Sequence, residues 1–293
     1  MASQEQRIEK LKSESRRIQQ YLSVLSAEDL AGPSACDAWE VRDVVAHLTG
    51  GVDLFAANIS RGVQGDPTPP DGFSPASVNS LLTRLEAGAQ RAISLRESMG
   101  DQLMTTFAAR CEHLNHLLES LTPMDWEKPC YHPGKVISVA AYVDLRLAEL
   151  AIHEWDIRSK LDASAQLSSE CLPAVMDLMP TFVIGTLFRP GASQSASGRF
   201  RFELTGVASG SHDIVVENGD SRIEPLGNGS ASATFKCDTE TFALLVYGRI
   251  SLDKAESEGR LTVAGDREFA SLIRTNFINE LLVDGYHLSL IHI

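Results

Sequence analysis

The sequence predicts a two-domain protein in which an N-terminal four-helix bundle is followed by a small α+β domain. Its 293 residues exceed the ~250 at which a single hydrophobic core usually stops growing. Apolar residues recur at helical spacing as far as about residue 161, and strand-like alternation replaces that spacing afterwards. We therefore expect one domain at residues 1–162 and a second at 163–293, with the tail 284–293 left unassigned.

The first two helices are indicated by their apolar stripes and by the residues that interrupt them. Residues 5 to about 26 predict a helix that ends before a Gly-Pro-Ser break at 32–34. Asp37 is the expected N-cap of the second helix, with Glu40 three residues later completing a capping box. The apolar stripe of this helix consists of Val41, Val44, Val45, Leu48, Val52 and Phe55.

Two further helices complete the predicted bundle. A loop rich in Pro and Gly at 62–75 precedes a long helical stretch from Pro75 to Leu121. A second break at 131–134 precedes the fourth helix, from about Val136 to Leu161. Four helices joined by loops favour a bundle.

The second half changes from helical spacing to alternation. A helical piece at about 169–188 comes first, and strands are predicted for FRFEL, HDIVVEN, SATFKC and RLTVAG. Asn-Gly pairs at 218–219 and 228–229 mark tight turns. Asp238 and Asp266 are the expected caps of two more helices, at 239–247 and up to about 276. Strands interspersed with helices indicate an α+β domain.

Composition excludes several classes of protein. A net charge of −13 argues against a nucleic-acid binder, which needs a basic face. No apolar stretch reaches the ~20 residues of a membrane helix, and the charged N-terminus lacks the apolar core of a signal peptide. The five cysteines are scattered and never spaced C-x-x-C, which argues against a disulfide framework or zinc finger. We expect a protein of the reducing cytoplasm.

The segment YVDLRLAELAIHEWDIR, at 142–158, places two polar stripes on one helix. The first stripe consists of Tyr142, Arg146, Glu149, His153 and Asp156. The opposite stripe consists of Asp144, Glu154 and Arg158. One stripe can be solvated, so the other is expected to face the bundle or line a cavity, where ionisable groups must be paired or bind metal.

Glu149 and His153, one turn apart, can place a carboxylate oxygen and an imidazole nitrogen on one cation. The alternative is an exposed ion network of Arg146, Glu149 and His153. His47, in VRDVVAHLTGG, is the candidate third ligand, and its alternative is a core or boundary histidine.

Several residues are candidate partners for these ligands. Glycines at 50 and 51 leave space beside the His47 imidazole, unless they serve close helix packing. The candidate partners that would orient the ligands are Asp43, Asn58, Tyr142 and Asp156.

Two neutral histidines and a carboxylate suit a divalent metal, above all Zn²⁺, with a fourth position for another ligand. The total charge of about +1 favours an anionic ligand, and coordination would deprotonate a thiol there. We place none of the five cysteines at that position, so an external thiol or a water is expected. Water-based hydrolysis without a thiol is an alternative.

WEVRDVVAHLTGG and RLAELAIHEWDIR resemble the two hallmark segments of the mycothiol-dependent maleylpyruvate isomerase family. That resemblance implies a DinB-like four-helix bundle whose metal ligands are His47, Glu149 and His153. FKCDTETFALLVYGRIS and GRLTVAGDREFASLI resemble the family's second domain, which is sterol-carrier-like. The resemblance extends from about residue 5 to 277.

The resemblance implies an enzyme that uses a small thiol, mycothiol, and a small electrophilic substrate. Thiol transfer and thiol-assisted cis–trans isomerisation are both implied. Arg249 matches an arginine thought to hold an acidic substrate, and Arg146 is a second candidate; the alternatives are a helix C-terminal arginine and an ion pair with Glu149. A different hypothesis is a lipid-binding module whose pocket is lined by Phe200, Phe202 and Phe235, unless these form its core.

Overall fold

The chain was described from a computed structural model that covers residues 3–36, 39–70, 78–132, 136–182, 197–218, 220–227 and 229–273. The chain forms two compact units. The first ends at Cys171 and the second begins at Leu172. The predicted domain boundary, at residues 162 and 163, lies slightly before this point. The predicted tail 284–293 and the Asp37 cap lie outside the described residues.

Where the structure describes it, the first unit consists of helices and one short antiparallel strand pair. Its elements are α1 (Gln4–Leu22), α2 (Ala27–Leu30), α3 (Val41–Val63), α4 (Val78–Met99), α5 (Leu103–Glu119), β1 (Pro129–Cys130), β2 (Ile137–Ser138) and α6 (Val139–Arg158). Helix α3 packs against α4, α5 and α6, while α1 packs against α5 and α6. The predicted apolar stripe of α3 is buried, which is why this helix lies at the centre of the unit.

The helix boundaries differ from prediction where local chemistry overrides the periodic pattern. Helix α1 ends at Leu22, four residues before the predicted end at 26. Ser26 is instead the N-cap of the next helix, α2. Helix α3 is capped by Glu40 and Asp43 in a capping box of their own. The predicted helix from Pro75 to Leu121 is divided into α4 and α5, because Gly100 has a positive φ of 48° and begins a 3-10 turn.

The second unit is an α+β domain built on one mixed sheet. Its elements are α7 (Leu172–Phe182), β3 (Gly198–Thr205), β4 (Gly210–Glu217), β5 (Asp220–Pro225), β6 (Ala233–Asp238), α8 (Thr239–Val246), α9 (Leu252–Ser257), β7 (Leu261–Gly265) and α10 (Arg267–Ile273). The strand order is β5-β4-β3-β6-β7, with β3 and β6 parallel and the other neighbouring strands antiparallel.

The predicted fold class, a helical domain followed by an α+β domain, is confirmed. Asp238 caps α8 as expected, and Asp266 accepts a hydrogen bond from the Phe269 amide at the start of α10. Strand β5 and helix α9 were not predicted. Both predicted Asn-Gly turns include one residue outside the described ranges, Gly219 and Asn228.

Three aromatic residues of the sheet belong to the core of the second unit. Phe200, Phe202 and Phe235 are all buried, and the Phe202 and Phe235 rings stack with centroids 4.9 Å apart. This packing agrees with the core assignment rather than with an open pocket lining. Within the described residues, no helix is long and apolar enough to cross a membrane.

Candidate metal centre

Helices α3 and α6 bring the three predicted metal ligands together. One ligand atom each from His47, Glu149 and His153 lies within 4.8 Å of the others. His47 Nε2 is 3.6 Å from Glu149 Oε1, and the two imidazole rings meet edge to face with centroids 4.8 Å apart. The side chains of Glu149 and His153 are fully buried, and that of His47 is 8% exposed. The donor set and its convergence fit a divalent metal ion.

Arg146 fixes the orientation of the Glu149 carboxylate. Its Nη1 donates to Glu149 Oε2, while Nη2 donates to the Leu48 carbonyl oxygen at 3.0 Å. The guanidinium lies over the Phe55 ring, 5.5 Å from its centroid. With Oε2 held by Arg146, Oε1 is the oxygen that faces His47. Arg146 therefore forms the ion pair with Glu149 that was its alternative assignment.

Asp156 fixes the orientation of the His153 ring. Its Oδ2 lies 2.9 Å from His153 Nδ1, and neither side chain is exposed. Such a contact sets the tautomer of a histidine and directs its other ring nitrogen toward a ligand. Asp156 thus contacts a candidate ligand directly, and its role toward a metal stays a prediction.

The other three predicted partners lie further along the helices. Asn58 Nδ2 donates to the Tyr142 hydroxyl at 2.9 Å, two turns before Glu149 on α6. Burial raises the pKa of Tyr142 well above its usual value. Asp43 accepts from the Glu40 amide at 3.0 Å and pairs with Arg96 at 3.3 Å, so its carboxylate caps α3. Burial is the main cause that raises the Asp43 pKa.

Arg249 lies in the second unit, just after α8. Its Nη1 donates to the Tyr247 carbonyl oxygen at 2.9 Å, and its amide donates to the Leu244 carbonyl oxygen at 2.7 Å. These contacts match the alternative assignment, an arginine at a helix C-terminus.

Comparison with known proteins places this centre in a family. Residues 11–158, which span α3 and α6, match the model of the mycothiol maleylpyruvate isomerase N-terminal domain. The chain belongs to the mycothiol maleylpyruvate isomerase family. Residues 189–277 match the SCP-2 sterol transfer family.

Solved structures of a mycothiol-dependent maleylpyruvate isomerase share this fold. One is 15% identical, with a TM-score of 0.57, over 90% of this chain and 93% of the other. A variant of that isomerase with a histidine replaced by alanine is 14% identical over the same shares, with the same TM-score. Both domains of the mycothiol maleylpyruvate isomerase family are therefore present in one chain, in the predicted order.

Two residues beside the centre of this family member were not predicted. The Trp39 ring lies 5.1 Å from the His47 ring, and Cys36 Sγ donates to Asp156 Oδ2 at 3.1 Å. Both residues precede α3, in a segment without helical or strand periodicity. Such a segment does not show in which direction its side chains point. Trp39 is the first residue of WEVRDVVAHLTGG, the segment that resembles the family, and this position could have marked it as a neighbour of His47.

Two features of the surroundings of the ligands bear on the sequence predictions. A Cβ at Gly50 would be in ordinary van der Waals contact with Leu95 Cδ2, at 3.4 Å, so Gly50 lies where α3 packs on α4. The opposite polar stripe of α6 is largely covered rather than solvated: Glu154 is only 1% exposed and is bound by Arg17 and Arg158, while Asp144 and Arg158 are partly exposed. Helix α1 supplies Arg17 and covers that stripe.

Proposed function

We propose that this chain is a metal- and thiol-dependent enzyme acting on a small electrophilic substrate, by thiol transfer or by thiol-assisted cis–trans isomerisation. The observation on which this rests is the convergence of His47, Glu149 and His153 within 4.8 Å. Membership of the mycothiol maleylpyruvate isomerase family supports mycothiol as the thiol.

A divalent ion held by two imidazoles and one carboxylate, with Zn²⁺ the closest match, would make a coordinated thiol available as thiolate at neutral pH. The chain's own residues prepare this site. Arg146 holds one oxygen of Glu149, so the other oxygen is presented to the site. Asp156 holds Nδ1 of His153, so Nε2 is presented to the same region. Burial of these groups excludes water and strengthens their electrostatic interactions.

The cysteines of the chain support an external thiol. All five are buried. Burial raises the pKa of Cys111, and it raises the pKa of Cys130, Cys171 and Cys237 to about 12. A thiol with such a pKa is not a nucleophile at neutral pH. The thiol of Cys36 is engaged with Asp156.

The test combines metal analysis with a thiol-consumption assay on the purified full-length chain. Mass spectrometry should find stoichiometric metal in wild type, and His47→Ala should lose both the metal and the activity. His116→Ala is the matched control, because His116 is exposed on α5 and its side chain is 67% accessible. Wild type without metal, or His47→Ala with metal and activity intact, would refute the proposal.

The same assay separates the competing functions. Mycothiol, glutathione and bacillithiol are each tested with a generic electrophile, and we expect the largest rate with mycothiol. Product formation without any thiol would instead indicate a metal hydrolase. Native mass spectrometry showing a retained apolar molecule and no metal would indicate a lipid-binding module.

A further inference from the structure

One short segment before α3 contacts His47 directly and reaches His153 through Asp156. Trp39 packs against the His47 ring, with centroids 5.1 Å apart. Cys36 donates its thiol hydrogen to Asp156, which in turn holds His153. The Ala35 amide also donates to the Asp156 carbonyl oxygen at 2.9 Å, so the backbone of this segment is tied to the end of α6.

The contacts from thiol to imidazole form a continuous buried chain. Cys36 Sγ is 3.1 Å from Asp156 Oδ2, and the same oxygen is 2.9 Å from His153 Nδ1. Cys36 is 4% exposed, and the other two side chains are not exposed. A carboxylate in such surroundings depends on its protein donors to hold one orientation, because water is excluded.

We propose that Cys36 is a positioning residue for the metal centre, acting through Asp156 on His153. Its thiol holds Asp156 in the rotamer that accepts from His153 Nδ1, and this fixes His153 with Nε2 directed at the metal. The inference rests on the proposed function, since it assigns a role in holding the metal. In this role the Cys36 thiol supports the metal centre and is not the nucleophile.

The segment around Cys36 is built to keep the thiol in place. Ser34 Oγ accepts from the Cys36 amide at 3.1 Å and donates to the Trp39 carbonyl oxygen at 2.8 Å. The Trp39 amide donates to the Cys36 carbonyl oxygen at 2.8 Å. These bonds tie Cys36 and Trp39 to each other and to Ser34, so the contacts that reach His47 and His153 are linked.

The test separates the hydrogen-bond donor from the volume of the side chain. Cys36→Ser keeps a donor, whereas Cys36→Val and Cys36→Ala remove it while preserving an apolar site. Co²⁺ affinity is measured by chelator competition on the full-length chain, together with the visible absorption of bound Co²⁺. We expect Cys36→Ser to bind Co²⁺ close to wild type, and Cys36→Val and Cys36→Ala to bind about 10–100-fold more weakly with an altered spectrum. Cys237→Ser, in the second unit, is the matched control for exchanging a buried thiol.

A purely packing role predicts the opposite ranking, with Cys36→Val at least as good as Cys36→Ser, and that result would overturn the proposal. Equal affinity of all variants would also overturn it. A Co²⁺ stoichiometry of two that falls to one in Cys36→Ala would make Cys36 a metal ligand and likewise exclude the positioning role. If wild type binds no Co²⁺, the proposed function fails as well; if wild type binds it and Cys36→Ala is unchanged, only this inference fails.

Discussion

Helix α6 presents two buried polar faces, and they differ in how their charges are matched. The face toward α1 pairs carboxylates with arginines: Arg7 binds both oxygens of Asp144, at 2.8 and 2.9 Å, and Glu154 is bound by Arg17 and Arg158. The face toward α3 instead places two imidazoles beside the carboxylate of Glu149. The first face is a set of ion pairs. The second face brings together imidazole nitrogens and a carboxylate oxygen, which can bind a cation.

Two arginines of the face toward α1 are more exposed than the arginine of the face toward α3. Arg17 and Arg158 have side chains that are 33% and 26% exposed, so each can remain partly hydrated while it binds Glu154. Arg146, on the other face, is only 1% exposed and depends on Glu149, the Leu48 carbonyl and the Phe55 ring. Carboxylates on one helix therefore form ion pairs or part of a candidate metal site, according to the side chains that meet them.

The largest effect is expected from removing the carboxylate that both the metal centre and Arg146 require. Glu149→Ala should lower the free energy of unfolding of the metal-free protein by about 3–5 kcal/mol, because it leaves a buried arginine uncompensated. Urea titration in the presence of a chelator measures this. The double variant with Arg146→Met should recover much of the loss, since it removes the unpaired charge. If Glu149→Ala is neutral, Arg146 is not buried against Glu149 as described.

Metal addition should distinguish the two faces. A ligand that binds only the folded state stabilises it by about 2.7 kcal/mol at 100 times its dissociation constant. We expect Zn²⁺ to do so for wild type and for Glu154→Gln, and not for His153→Ala. Thermal unfolding with and without Zn²⁺ measures the shift. Loss of the shift in Glu154→Gln would mean that the α1 face also contributes to metal binding.

The sequence could predict that the three candidate ligands converge, because helical periodicity determines which side chains share a face. His47, Glu149 and His153 were each placed on a stripe of a strong helix, and two such stripes in one bundle can meet. Periodicity does not tell which helix covers a stripe, and this is why the burial of Glu154 beneath α1 was missed. Arg7 and Arg17, which bind this stripe, lie on α1, each 137 residues away in sequence from its partner.

Contacts from irregular segments could not be predicted in the same way. Cys36 reaches Asp156 across 120 residues of sequence, and its segment has no repeating pattern to fix its direction. The break at Gly100 is a single glycine in an otherwise helical pattern, which a helix can tolerate. Strand β5, DSRIEP, and helix α9, LDKAES, contain too few apolar residues to show a periodic pattern.

A smaller effect is expected from neutralising the central carboxylate of the α1 face. Glu154→Gln weakens charged hydrogen bonds to Arg17 and Arg158 and should cost about 1.5 kcal/mol of unfolding free energy. The cost stays below that of Glu149→Ala because both arginines can turn toward water. Urea titration of the two variants side by side provides the ranking, and a larger loss for Glu154→Gln would reverse the proposed contrast.

The smallest effect concerns Glu14, a carboxylate of α1 on the same covered side as Glu154. Burial raises its pKa, and the charge of Glu154 adds to this, while Arg17 and the hydrogen bonds from Ser168 and Cys171 oppose it. Because the folded pKa lies above the unfolded value of about 4.3, the stability contribution is complete below that value and is lost as pH rises through the folded pKa. Glu14→Gln removes this loss, so the variant should gain stability relative to wild type between acidic and neutral pH.

Glu9→Gln, at an exposed position of the same helix, is the control. Unfolding free energies measured across that range should diverge for Glu14→Gln alone; a constant difference would show that Glu14 titrates alike in the folded and unfolded chain.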